Sequence, residues 1–131
     1  MTVLVVEDEM MLLKAIEMKL LKAGKKVVLC TSAEEALEAL KNSTELPDII
    51  WLDYYLKDMN GLQFMSELKM NPKWAEIPVM VVSNSATEEK VSRMLALGAK
   101  KYVLKAESRL EDLVLMLDDI ALQTSGISES K

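Results

Sequence analysis

The side chains that could act together are the acidic run Glu7-Asp8-Glu9 with Asp53, Ser83 and Lys105. Carboxylates gathered in one crevice disfavour each other's ionisation unless a cation neutralises them. A hard divalent cation with oxygen ligands, most naturally Mg²⁺, offsets that repulsion while keeping several waters. A lysine adds a fixed positive charge and a serine adds a hydroxyl donor, which completes the parts of a site for a phosphoryl group. Asp53 is then the nucleophile, because a carboxylate can become an aspartyl-phosphate. Lys105 and Ser83 hold the phosphoryl oxygens. Catalysis of this kind is positioning and electrostatics and needs no general base. The chain contains no histidine. That removes Ser-His-Asp and Cys-His triads, the usual histidine metal sites and any phosphohistidine carried by this chain.

These residues share a sheet edge only if the intervening elements put them there. Apolar, β-branched runs occur at Val3 to Val6, Val27 to Leu29, Ile49 to Leu52, Val79 to Val82 and Tyr102 to Leu104. They are nearly continuous in hydrophobicity, the pattern of parallel strands covered on both faces by helices. Helical spacing fills the gaps. Leu13, Ile16 and Leu20 form one stripe over Met10 to Ala23, with Gly24 at the left-handed cap position. A second helix opens on the capping box Ser32-Ala33-Glu34-Glu35 and carries Ala33, Ala36, Leu37 and Leu40. A third runs from Gly61 to Met70 before Asn71-Pro72, and a fourth from Thr87 to Leu97 ends at Gly98. The fifth starts at the capping box Ser108-Arg109-Leu110-Glu111 and buries Leu110, Leu113, Val114, Leu117 and Ala121.

Strand and helix therefore alternate five times, which predicts right-handed crossovers and a doubly wound (βα)5 three-layer α/β sandwich. Such sheets place functional residues at the carboxyl ends of their strands. Glu7 to Glu9 follow strand one, Asp53 ends strand three, Ser83 ends strand four and Lys105 follows strand five. Taken singly, the acidic run is a favourable helix start and Asp53 a turn or capping residue. Their joint placement on one edge is much harder to obtain by chance.

Composition bounds the rest. A chain of 131 residues is one domain on a prior of about 100–200 residues per domain. Half of its residues are hydrophobic and 28% are charged, which excludes a disordered chain. Sixteen basic residues against twenty-one acidic ones leave a net charge of −5, so direct nucleic-acid binding is disfavoured. Cys30 stands alone and cannot form an internal disulfide, and the chain opens on a strand-like run; a cytoplasmic protein is expected. The longest stretch free of Asp, Glu, Lys and Arg, Ile77 to Thr87, is eleven residues, against about 20 for a membrane span. The domain is expected over residues 1–122, with 123–131 as a polar tail.

The stretches VLVVEDE, PDIIWLDYYLKDMNG, IPVMVVSNSA and KKYVLKA resemble the receiver domain of two-component response regulators, including the single-domain chemotaxis type. The similarity covers about Thr2 to Leu122. It implies the flavodoxin-like strand order 2-1-3-4-5. It implies Asp53 as phosphoacceptor, Glu7 and Asp8 as the acidic pair, the backbone carbonyl of Tyr55 as a further Mg²⁺ ligand, Lys105 as the phosphate-contacting lysine, and Ser83 and Tyr102 as the switch pair. It also implies a sensor histidine kinase or phosphotransfer protein as donor, and a downstream protein target reached through the surface of helix four, strand five and helix five. The protein would act as a monomer or a phosphorylation-dependent dimer, catalysing only its own phosphorylation and dephosphorylation.

Departures from the family pattern are Lys57 and Ala106 where proline is usual, Asn84 where a smaller residue is common, and Ser83 for a frequent threonine. The first frees the loop after Asp53, and the second removes the proline associated with a cis peptide. The alternative these departures support is a degenerate receiver acting as a phosphorylation-independent binding module. A haloacid-dehalogenase-type phosphohydrolase would need D-x-D after strand one, whereas Asp53-Tyr54-Tyr55 follows strand three. A flavin carrier would need a Ser/Thr/Gly-rich loop where Glu7-Asp8-Glu9 stands. Leu115, Met116 and Leu122 in helix five, and Met10, Met11 and Met18 near helix one, are either contact surface or core filler.

Overall fold

A computed structural model of the chain describes residues 1–124. The elements run β1 (Thr2–Val6), α1 (Met10–Lys22), β2 (Lys26–Cys30), α2 (Ala33–Asn42), β3 (Ile49–Asp53), α3 (Gly61–Met70), β4 (Val79–Ser83), α4 (Glu88–Ala96), β5 (Lys101–Leu104), a single 3₁₀ turn at Lys105–Glu107, and α5 (Leu110–Thr124). All strand pairs are parallel in the order β2-β1-β3-β4-β5. The doubly wound sandwich and its strand order are as expected. The crossovers reverse direction beside β1, which opens a crevice at the carboxyl ends of β1 and β3.

Strand alternation divides the core into two apolar layers. Leu4, Val6, Ile50, Leu52, Val79 and Val81 face α2, α3 and α4, packing on Ala36, Phe64, Leu68 and Met94. Val3, Val5, Ile49, Trp51, Met80 and Val82 face α1 and α5, packing on Ile16, Leu20, Leu113 and Leu117. The three inner strands β1, β3 and β4 are buried almost throughout. The edge strands form where the runs Val27 to Leu29 and Tyr102 to Leu104 predict, but Val28 of β2 is exposed rather than covered, since an edge strand has a neighbour on one side only.

Helix ends also depart from the sequence pattern in detail. Gly24 and Gly98 close α1 and α4 with positive φ, 82° and 107°, as their positions predict. At α2, Ser32 accepts from the Glu35 amide, but the Glu35 carboxylate reaches past Ser32 to the Thr31 amide. The box expected at Ser108 does not form. The 3₁₀ turn delays α5 to Leu110, Leu113 donates to the Arg109 carbonyl, and Glu111 is drawn to Lys19 on α1. α5 buries Ile120 along with Leu113, Val114 and Leu117, whereas Leu110 and Ala121 are half-buried. α5 continues through Gln123 and Thr124 into the stretch expected as tail, and residues 125–131 lie outside the described residues. Met10, Met11 and Met18 are exposed, as are Leu115 and Leu122, whereas Met116 is half-buried.

Candidate functional site: an acidic crevice at the carboxyl ends of the strands

The register brings the expected residues to one edge. Val6 pairs with Leu52, Asp53 with Val82, and Ser83 with Leu104, so the residues that end or follow these strands emerge together. Glu7, Asp8 and Asp53 each offer a carboxylate oxygen, and these oxygens lie within 4.8 Å of one another. Glu7 and Asp53 are buried, and Asp8 is half-buried. Lys105, the first residue of the turn after β5, donates to Glu7 Oε1 at 3.1 Å and lies 3.5 Å from Asp53 Oδ1.

Local backbone holds these groups in place. The Glu7 amide donates to the Cys30 carbonyl at 3.0 Å, which ties β1's end to β2. Glu7 Oε2 accepts from the Glu9 amide, and Asp53 Oδ1 accepts from the Tyr55 amide at 3.3 Å. Ser83 is fully buried one residue beyond the Asp53 partner Val82, with its hydroxyl accepting from the Ser85 amide at 3.3 Å. No hydrogen bond joins Ser83 to Asp53 or Lys105 among the described residues. Tyr102 is half-buried and donates from its phenol to the Ser85 carbonyl at 2.7 Å. Ser83 and Tyr102 thus engage the same residue, Ser85, from opposite sides of one short loop.

Electrostatics set this crevice apart from an ordinary ion pair. Burial pushes the Asp53 carboxyl up to about 7; the charges of Glu7 and Asp8 add to the rise and Lys105 opposes it. The Lys105 ammonium is disfavoured by its own burial, yet Asp53 and Glu7 outweigh that and raise its pKa. One lysine facing three carboxylates leaves uncompensated negative charge, a costly arrangement for a purely structural pair. An all-oxygen donor set of this charge suits Mg²⁺. No cis peptide occurs among the described residues, so Lys105 reaches the crevice through a trans bond to Ala106.

The structure adds residues that the sequence pattern did not single out. Tyr54, the residue after Asp53, is buried; its ring sits edge-on to Tyr55 at 4.8 Å and 6.2 Å from Tyr102. Lys90 of α4 lies over the Tyr55 ring at 4.7 Å, donates to the Tyr55 phenol and contacts Ser85 Oγ at 3.3 Å. Asp58, in the same loop as Tyr55, accepts from the Ala33 and Glu34 amides of α2 at 3.1 and 2.8 Å. The Asp58 contacts with α2 and the Lys90 contact with the Tyr55 phenol join positions 24 to 35 residues apart, a relationship no local spacing reveals.

Comparison with known proteins agrees with this geometry. The family model described as "Response regulator receiver domain" matches residues 3–118. The chain is 34% identical over 103 residues to the two-component response regulator ORR8 of Oryza sativa subsp. indica, covering 79% of this chain and 84% of that protein. Its fold superposes with a TM-score of 0.84 on a CheY-like response regulator receiver domain protein from Methanospirillum hungatei, at 23% identity and 95% coverage of both chains. The phosphorylated cyanobacterial phytochrome response regulator RcpA superposes with a TM-score of 0.77 at 26% identity, covering 92% of this chain and 91% of that one. Strand order, acidic crevice and family match converge, and the chain belongs to the receiver domains of two-component response regulators, signalling proteins that work by accepting a phosphoryl group.

Proposed function

We propose that Asp53 is the phosphoacceptor of this chain and that its donor is the phosphohistidine of a sensor histidine kinase or phosphotransfer protein. The observation that carries this reading is the crevice itself: three carboxylates within 4.8 Å, with Lys105 Nζ 3.5 Å from Asp53. Glu7 or Asp8, Asp53 and the Tyr55 carbonyl would hold Mg²⁺. When bound, that ion neutralises charge on the carboxylates and on the transferring group.

An Asp53 carboxylate oxygen forms a bond to phosphorus as the P–N bond to the partner's imidazole breaks, and the electron pair remains on the imidazole nitrogen. Lys105, already beside Asp53, follows the phosphoryl oxygens as a fixed counter-charge. The Ser83 hydroxyl exchanges the Ser85 amide for a phosphoryl oxygen. That exchange disturbs the loop whose Ser85 carbonyl anchors Tyr102, so the chemistry is coupled to the face made by α4, β5 and α5. Physically this is a two-state equilibrium biased by new charge-assisted bonds. Output passes by contact with a downstream protein, as a monomer or as a dimer formed on phosphorylation, in the cytoplasm. No described helix is long and apolar enough to cross a membrane. The chain would catalyse only its own phosphorylation and dephosphorylation, through Asp53, Lys105, Ser83 and the groups that would hold Mg²⁺.

Intact-mass spectrometry after incubation with acetyl phosphate, with and without Mg²⁺, tests the reading on the wild type and Asp53→Asn. The expected result is a single Mg²⁺-dependent phosphoryl gain, absent from the variant. A folded protein that gains nothing from acetyl phosphate, carbamoyl phosphate or phosphoramidate would instead be a phosphorylation-independent binding module.

A further inference from the structure

The loop from Tyr54 to Asn60 must present the Tyr55 carbonyl to a metal beside Asp53, and it must do so with Lys57 where the family usually has proline. Within the loop, Gly61 donates to the Tyr54 carbonyl at 2.7 Å and Tyr55 forms an antiparallel bridge with Asn60. These contacts close the base of the loop. Its tip is held from outside. The carboxylate of Asp58 spans two consecutive amides, Ala33 at 3.1 Å and Glu34 at 2.8 Å, at the start of α2.

The local cap of α2 leaves the Ala33 and Glu34 amides open, and it is Asp58 from the acceptor loop that takes them. Ser32 already supplies the local cap through the Glu35 amide, and Glu35 closes back on Thr31. Asp58 arrives from an element 24 to 25 residues away and brings a full negative charge to the positive end of the helix. Slight burial acts to raise its pKa, but the amides of Glu34, Ala33, Asp58 and Met59 together outweigh that and lower it. The bonds are therefore charge-assisted and join the acceptor loop to a rigid body.

We propose that Asp58 is a positioning residue for the Mg²⁺ site: by clamping the loop after Asp53 onto the N-terminus of α2, it fixes the Tyr55 carbonyl in place and substitutes for the missing proline. This rests on the reading of Tyr55 as a ligand. Partners that orient a metal ligand without touching the metal commonly contribute about tenfold or more to affinity.

Calorimetric titration with MgCl₂ alone tests this on wild type, Asp58→Ala, Asp58→Asn and Ser32→Ala, alongside amide hydrogen exchange of the metal-free proteins. Asp58→Ala is expected to raise the Kd for Mg²⁺ about tenfold and to speed exchange at Tyr55 and Gly61. Asp58→Asn, which keeps one uncharged acceptor oxygen, falls between Asp58→Ala and wild type, and serves in its place should the alanine variant not fold. Ser32→Ala removes a cap of the same helix without touching the loop, so it lowers thermal stability and leaves the Kd unchanged. The inference is overturned if folded Asp58 variants bind Mg²⁺ as wild type does, or if Ser32→Ala weakens binding as much as Asp58→Ala. A wild type that binds no Mg²⁺ overturns the reading of the site itself, an outcome distinct from both.

Discussion

Tyr102 on the edge strand β5 is tied to the loop after β4 by one hydrogen bond, from its phenol to the Ser85 carbonyl at 2.7 Å. Ser83 Oγ accepts from the Ser85 amide two residues downstream. The two bonds share one residue, so a shift of Ser83 bears on the ring of Tyr102 through the backbone of Ser85. Nothing more elaborate than a displaced loop is needed to carry the change to β5.

Tyr102→Phe removes that bond while leaving the ring against Tyr54. A net loss of about 1 kcal/mol is expected, the usual worth of a neutral hydrogen bond. Urea denaturation measures it. Mg²⁺ affinity should be unchanged, since Tyr102 touches none of the carboxylates, and a large change in the Kd would contradict the separation of switch from metal site.

Acidity offers a second test. The Asp53 carboxyl is pushed up to about 7 in the folded protein against an ordinary 3.8. A group whose folded pKa lies above its unfolded value contributes stability that is complete below the unfolded value and is lost as pH rises through the folded one. Metal-free protein in EDTA should therefore lose thermal stability from about pH 4 to about pH 7, and Asp53→Asn should flatten that slope. Stabilisation by added Mg²⁺ should be greater at pH 8 than at pH 5, because the ion competes with the proton on Asp53.

Lys105→Met keeps the length of the side chain and removes its charge. Phosphoryl gain from acetyl phosphate should slow by about a hundredfold, the order found when one preorganised charge-stabilising group is lost. Unfolding in EDTA at pH 8 should show a loss of up to about 3 kcal/mol, because Glu7 and Asp53 stay buried without their cation. Added Mg²⁺ should restore part of that loss.

Lys90→Ala removes the ammonium over Tyr55 together with its contacts to the phenol and Ser85. A cost of about 0.5–1 kcal/mol is expected at so accessible a site, with a weaker tyrosine signal in near-ultraviolet circular dichroism. Lys90→Arg should retain most of both, since guanidinium also stacks on an aromatic face. An alanine variant with unchanged dichroism would show that the contact does not order the ring.

How far the sequence reaches depends on the range of the interaction concerned. Runs such as Ile49 to Leu52 and Val79 to Val82 declare buried parallel strands because both faces must be apolar, and acid, hydroxyl and lysine at strand ends then fall on one edge by topology alone. Patterns failed where a distant partner competes for a local one. Glu111 looks like the closing residue of a capping box on Ser108, but Lys19 of α1 holds it, and the 3₁₀ turn that delivers Lys105 to the crevice moves the helix start to Leu110. The edge strands themselves were legible, but not their burial: Val28 belongs to an apolar run, yet it lies on the edge strand β2, paired only with β1, and is exposed. Asp58 and Lys90 carry no local signature, since their contacts exist only once α2 and α4 pack beside the acceptor loop.

The division of the core by the sheet gives this protein a built-in set of spectroscopic reporters. Among its ten methionines, Met65 and Met94 are sealed in the layer beneath α2, α3 and α4, and Met80 in the layer beneath α1 and α5. Met11 and Met18 project from α1 into solvent, and Met70 from the end of α3. Methyl resonances labelled at methionine alone would therefore register each side of the sheet separately, with solvent-facing probes as an internal reference. Phosphorylation that reorganises only the α4 side should move Met94 while leaving Met80 at its resting frequency.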